Sequence, residues 1–188
     1  VRFKQGAIKF CIKIPIPDYS DLPDHNIGWD ASIHDSASEV LPDDAPRPRG
    51  LPVLFTRYID ANLSHYWING RSVTGIITIV NQPPLEWIPK KQPMVETATY
   101  GSEFVTTRHA MEKSIEERTL FRYLGVPIMP NDYMLGDNES VVNSSTRIDA
   151  KLHKRHNALS FHKVREAIAA GFTASYHVPS HCNLTDIK

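Results

Sequence analysis

The hydrophobic pattern predicts a definite succession of elements from about residue 53 onward. Residues 53–61 read as a strand with Asp60 near its end, and residues 73–80 form a nearly continuous β-branched run, as in a strand buried on both faces. Asn81-Gln82-Pro83-Pro84 turns the chain, and residues 85–88 make a third short strand, close enough in sequence for an antiparallel meander. A helix follows over residues 99–123. Tyr100, Phe104, Met111 and Ile115 share its apolar face, and Gly125 then Pro127 stop it. Residues 133–137 are strand-like and residues 138–145 suit a short helix. Phe161, Val164 and Ile168 recur at i, i+3 and i+7 in a helix over residues 156–170, which Gly171 ends. Phe172, Ala174, Tyr176 and Val178 alternate with polar residues in a fifth strand. The order β-β-β-α-β-α-α-β predicts an α/β fold with a five-stranded mixed sheet and helices packed on it.

Upstream the pattern weakens. Residues 7–14 alternate apolar residues with lysine until Pro15 and Pro17 break them. Residues 18–50 are rich in Asp, Pro and Ser and close on Pro46-Arg47-Pro48-Arg49-Gly50, a linker composition. The expected organisation is a connector over 1–50 and a domain over 51–188, which the length of 188 residues accommodates. The chain opens without methionine and is expected to be a piece of something longer.

Hydrophobic content of 41% and charged content of 22% fit a soluble protein, and no apolar run approaches the roughly 20 residues of a membrane span. There is no signal-peptide pattern. Cys11 and Cys182 stand far apart in no metal-ligand spacing, which points to free thiols in an intracellular protein rather than a disulfide scaffold or a zinc site. The net charge of +0 hides a split. Residues 18–44 hold eight of the 21 acidic residues and no Lys or Arg, so the remainder carries 13 acidic against 21 basic residues, a surplus of +8. That surplus suits a phosphate-binding surface, although simple unevenness of surface charge gives the same figure.

Four carboxylates, Asp60, Glu103, Asp137 and Asp186, fall at or near element ends. Cutting a phosphodiester at neutral pH needs a hydroxide nucleophile and relief of charge on the leaving oxygen. Two hard cations about 3.5–4 Å apart supply both. Magnesium prefers carboxylate oxygens, so three or four converging Asp and Glu residues suffice without Cys or His. Taken singly, an aspartate at a strand end is more often a turn or cap residue, and spacing alone does not select these four.

Ordered blocks of residues make the selection. Tyr58-Ile59-Asp60-Ala61, Gly70-Arg71-Ser72-Val73-Thr74-Gly75, Trp87, Lys90-Lys91-Gln92 and Gly101-Ser102-Glu103-Phe104 resemble the ribonuclease H region of copia-type retrotransposons. So do Gly136-Asp137-Asn138-Glu139-Ser140-Val141, His153-Lys154-Arg155-His156, His162-Lys163-Val164-Arg165-Glu166, and the stretch from His177-Val178-Pro179 to Asp186-Ile187-Lys188. The resemblance spans residues 53–188, and residues 1–50 look like the connector that follows a reverse transcriptase. It implies an RNase H-like fold and an endonuclease that cuts the RNA strand of RNA–DNA hybrids during reverse transcription. It also implies a pair of Mg2+ ions, with Mn2+ able to substitute, held by Asp60, Glu103, Asp137 and Asp186. The reverse transcriptase portion of the polyprotein is the implied partner, and a cytoplasmic retrotransposon particle the implied location. The chain departs from the family where Asn62-Leu63-Ser64-His65 replaces the usual Trp, small residues and acid, and where Thr185 replaces a small apolar residue. The helix that would follow Asp186 is missing, so a domain truncated at its C-terminus is expected.

An enzyme of this kind is expected to grip a hybrid by shape, through 2′-hydroxyls and phosphates. Asn138 and Ser140 are the 2′-hydroxyl candidates by position, with helix capping an equal alternative for Asn138. Lys151, Lys154, Arg155, Lys163 and Arg165 track phosphates or form a solvated helix face, with Lys90 and Lys91 assisting in the first case. His181 is either a product-release histidine or an exposed loop residue, and Trp67 and Trp87 suit core or edge packing better than base stacking. Two rival readings remain. An integrase-type nuclease would end its carboxylate set with a late-helix glutamate, whereas here the glutamate comes second. The other is an inactive RNase H-like domain that supports a polymerase.

Overall fold

A computed structural model describes Leu22, Leu41, residues 43–66, residues 68–152 and residues 154–185, without the side chains of 64–66. Trp67, Asp186 and the extended pieces expected before residue 18 lie outside the described residues.

Three antiparallel strands come first: β1 (Phe55–Tyr66), β2 (Arg71–Val80) and β3 (Pro84–Lys91). The long helix α1 (Thr99–Tyr123) follows, then β4 (Asp132–Gly136), α2 (Glu139–Thr146), α3 (Ala158–Ala169) and β5 (Thr173–His177). Single 3-10 turns at Arg155–Asn157 and Ser180–Cys182 flank the last helix and strand. The sheet order is β3-β2-β1-β4-β5, with β1 pairing antiparallel to β2 and parallel to β4, and β4 parallel to β5. The mixed five-stranded sheet and the element order agree with the hydrophobic pattern.

Four details depart from it. Asp60 stands in the middle of β1, because the strand continues through Asn62-Leu63-Ser64-His65. That segment has no clean alternation; pairing with β2 carries it, through a register shift between Asn62 and Tyr66. Second, β2 is buried on alternate residues, not throughout. Ser72, Thr74, Ile76 and Thr78 face the helices and are buried, while Val73, Gly75 and Ile77 are half-buried. A β-branched run does not reveal how well the second face of a sheet is covered. Third, the last helix begins at Ala158, with the 3-10 turn ahead of it. Fourth, Ile115 is 36% exposed, lining an open groove with Met111, Ala167, Ala170 and Phe172. The positive-φ glycines Gly125 and Gly171 (φ 72° each) end α1 and α3 as expected.

Ile59, Ile76, Ala110, Met111, Met134 and Ala167 fill the space between sheet and helices, and Phe104, Val141, Phe161, Val164 and Ile168 lock α1, α2 and α3 together. On the opposite face, Tyr58, Leu135, Ala174 and Tyr176 form a second cluster with Leu22 and Leu184 against it. Beneath α1 runs an ion-pair network that the sequence does not announce. Arg57 of β1 donates to Asp132 (2.6 Å) and Glu117 (2.5 Å), Arg118 donates to the other Asp132 oxygen (2.7 Å), and the Ser114 hydroxyl donates to Asp132 (2.5 Å). All five side chains are buried. Two guanidinium and two carboxylate groups balance, as buried charges must.

Candidate metal centre and nucleic-acid interface

The parallel pairing of β1 with β4 builds the site. The ladder ends at the Ile59–Gly136 pair, so the next residues on each strand, Asp60 and Asp137, are neighbours across the roughly 4.8 Å strand spacing. Glu103 reaches the same point from the second turn of α1. Its Oε1 accepts a hydrogen bond from the Ala61 backbone N–H (3.2 Å), which ties the helix to β1 beside Asp60. One carboxylate oxygen from each of Asp60, Glu103 and Asp137 lies within 4.8 Å of the others. Glu103 is buried and the two aspartates are half-buried, so the cluster opens to solvent on the aspartate side. Asp186 lies outside the described residues.

Three carboxylates at this separation repel one another. Burial, and then the charges of Asp60 and Asp137, push the Glu103 carboxyl from 4.5 up to about 9, against the opposing pull of the Ala61 N–H; the protonated acid shares a hydrogen bond with Asp60. The donor set therefore suits a hard divalent cation, which would neutralise the aspartates and displace the Glu103 proton if bound. A stability effect follows with a definite sign. In the unfolded chain Glu103 ionises near its ordinary value. Between about pH 4.5 and about pH 9 the folded chain keeps a proton that the unfolded chain has lost. Stability is full below this window and declines as pH rises through it. Thermal unfolding of the metal-free chain should show a midpoint falling with pH over that range, and Glu103→Gln should flatten the fall. A wild-type slope equal to that of Glu103→Gln would rule out the retained proton.

The expected nucleic-acid residues are spread over several elements. Asn138 caps α2, its side chain accepting from the Val141 N–H (3.3 Å), while Ser140 is exposed in the first turn. Lys90 and Lys91 are exposed at the end of β3, where Lys90 pairs with Thr74 one row beyond the transverse line Pro89–Gly75–Asp60. Lys154 donates to the Thr97 hydroxyl (3.0 Å) just ahead of α1, and Arg155 is exposed beside it. Lys151 is exposed, and Lys163 is exposed with Glu166 at 3.8 Å.

Arg165 is a correction. It is buried, and its guanidinium donates to the carbonyls of Ser144 (3.0 Å), Arg147 (2.6 Å) and Ile148 (3.1 Å), which satisfies the carboxyl end of α2 and leaves no phosphate contact there. His181 is exposed in the last 3-10 turn, and Trp87 is 61% exposed on edge strand β3, so it is not a core residue.

Two residues near the centre lie in the resembling C-terminal stretch, but neither is picked out there as a site residue. His177, the register partner of Gly136, places Nε2 3.2 Å from the Asp137 carbonyl, which accepts from it. Asn183 donates to the Ile59 carbonyl (2.8 Å), next to Asp60. Only the pairing of β4 with β5 and the return of the C-terminal segment bring these side chains to the backbone beside the two aspartates.

A mixed sheet in this order, with its first helix lying across the central strands, is the ribonuclease H fold. Solved structures similar to the chain are ribonuclease H1 domains. LC11-RNase H1, isolated from compost by a metagenomic approach, superposes with a TM-score of 0.53 at 14% identity, over 69% of this chain and 87% of that one. The same enzyme in complex with an RNA/DNA hybrid gives 0.53 at 15% identity, over 69% and 88%. The N-terminal RNase H domain of rv2228c from Mycobacterium tuberculosis, fused to maltose-binding protein, gives 0.50 at 14% identity, over 70% and 91%. At these identities the likeness is one of fold. No protein-family model and no curated protein matches the sequence. Among the described residues no helix is long and apolar enough to cross a membrane.

Proposed function

We propose that the chain is the ribonuclease H domain of a copia-type retrotransposon polyprotein, over residues 51–188 behind a connector of residues 1–50. In this reading it cuts the RNA strand of RNA–DNA hybrids. The observation that carries the proposal is the convergence of Asp60, Glu103 and Asp137, from three elements far apart in sequence, within 4.8 Å on a ribonuclease H fold. Those three would hold the metal, and the resemblance adds Asp186. When bound, a pair of magnesium ions supplies an activated water and relief of charge on the leaving oxygen, and manganese can replace it. The chain's own part is to fix the carboxylates. Ala61 N–H orients Glu103, and the last rung of the β1–β4 ladder, Ile59–Gly136, holds Asp60 and Asp137 side by side.

The basic surplus outside residues 18–44 supports a phosphate-rich substrate. Exposed Lys90, Lys91 and Arg155, together with Lys154, are the proposed backbone contacts, and Asn138 and Ser140 the proposed 2′-hydroxyl contacts. The hybrid held by the compost enzyme supports an RNA/DNA duplex as the ligand class. The reverse transcriptase portion of the same polyprotein is the proposed partner. The test is incubation of the purified chain with an end-labelled hybrid in magnesium or manganese. Cleavage of RNA in the hybrid, with the DNA strand and single-stranded RNA left intact, is the expected result. No cleavage in either metal would favour a non-catalytic supporting domain.

A further inference from the structure

We propose that Asn183 is a positioning residue for the Asp60 carboxylate, an inference that rests on reading Asp60 as a metal ligand. The ladder between β1 and β4 stops at Ile59–Gly136, and beyond it the chain leaves β4 through Asp137 while β1 runs on to Tyr66 beside β2 alone. Where the two strands part, the Ile59 carbonyl needs a partner, because a buried backbone acceptor left empty is costly. Asn183, itself buried, fills that position from 124 residues away with Nδ2 at 2.8 Å.

The amide is held at both ends. Its Oδ1 accepts from the Thr185 N–H (3.2 Å) and from the Thr185 hydroxyl (2.6 Å), so donors at one end fix which atom faces Ile59 at the other. Thr185 in turn packs beside Gly75, the cross-strand partner of Asp60: a Cβ on Gly75 would lie 3.6 Å from it. The segment 183–185 thus grips β1 on the peptide that leads into Asp60 and covers the residue paired with it. Any movement of the Ile59–Asp60 peptide is passed directly to the carboxylate. Partners of this kind, which orient a ligand without touching the ion, typically change metal affinity by about 10–100-fold when removed.

Asn183→Leu preserves the side chain's volume and removes both sets of hydrogen bonds. Asn183→Ala and Thr185→Val accompany it, the last removing only the hydroxyl contact. Manganese binding to the full chain is measured by isothermal titration calorimetry, beside circular dichroism and cleavage as a function of metal concentration. The expected result is manganese binding weaker by about tenfold or more in Asn183→Leu and Asn183→Ala, and a smaller loss in Thr185→Val. Secondary structure should be unchanged, and cleavage should recover at high metal. Wild-type manganese affinity in a folded Asn183→Leu would overturn the inference and leave Asp60 as a ligand. A wild-type chain that binds no manganese would overturn the ribonuclease reading, and the role of Asn183 with it.

Discussion

Asp60→Asn and Asp137→Asn are each expected to lower hydrolysis of the RNA strand by about three orders of magnitude or more, without loss of fold. The amide keeps the shape of the side chain and an oxygen at the same place, but it removes a full negative charge from a set in which all three carboxylate oxygens lie within 4.8 Å. A neutral amide oxygen binds a hard cation more weakly than a carboxylate does, because it brings no charge to offset the cation's dehydration. Stability should move the opposite way. In the metal-free chain Asp60 and Asp137 both raise the Glu103 pKa by repulsion, so removing the Asp137 charge lets Glu103 ionise closer to its ordinary value and relieves strain in the folded state. Asp137→Asn should therefore melt at a higher temperature than wild type near neutral pH without metal, and should lose the stabilisation that magnesium gives the wild type. Product analysis on a labelled hybrid and thermal unfolding with and without magnesium check both halves. An Asp137→Asn chain that cleaves like wild type would remove Asp137 from the chemistry.

The largest expected effect on stability lies elsewhere in β1. Arg57→Met should destabilise the domain by about 3–5 kcal/mol, the cost typical of breaking a buried ion network by removing one member. Asp132 would keep Arg118 and Ser114, but Glu117 would lose the guanidinium that stands 2.5 Å from it inside the protein. An uncompensated buried carboxylate takes up a proton or draws in water, and both loosen the packing of α1 on the sheet. Adding Glu117→Gln to Arg57→Met should restore part of the loss, because the second change removes the stranded charge. Urea unfolding of the two variants beside wild type measures the effect. A destabilisation below about 1 kcal/mol, the range of exposed pairs, would show that the network is solvated.

Much of the fold could be read without coordinates. The α1 helix, Thr99–Tyr123, was legible in outline because Tyr100, Phe104 and Met111 share a face and Gly125 ends it. The fifth strand was legible from strict alternation in Phe172, Ala174, Tyr176 and Val178. The candidate carboxylates were another matter. Their local contexts are those of ordinary turn and cap residues, and only the resemblance of the surrounding blocks picked them out. Arg165 shows the limit most clearly. Its place on a basic helix suggests a phosphate contact, yet it faces inward onto three carbonyls, and nothing in the local charge pattern separates the two outcomes.

By itself, the sequence determined the order of strands and helices, since periodicity and turn residues act over a few positions, but not all of their bounds. It also determined that the chain beyond residue 44 carries a positive surplus. Tertiary structure alone decided that Asp60 and Asp137 become neighbours, through one parallel pairing at Ile59–Gly136, and that Arg57 finds two acidic partners in the interior. It also decided that Asn183 closes on the strand beside Asp60. The physical reason is that strand register and burial are set by contacts between residues dozens of positions apart. No local pattern encodes the distance between side chains that only folding brings together.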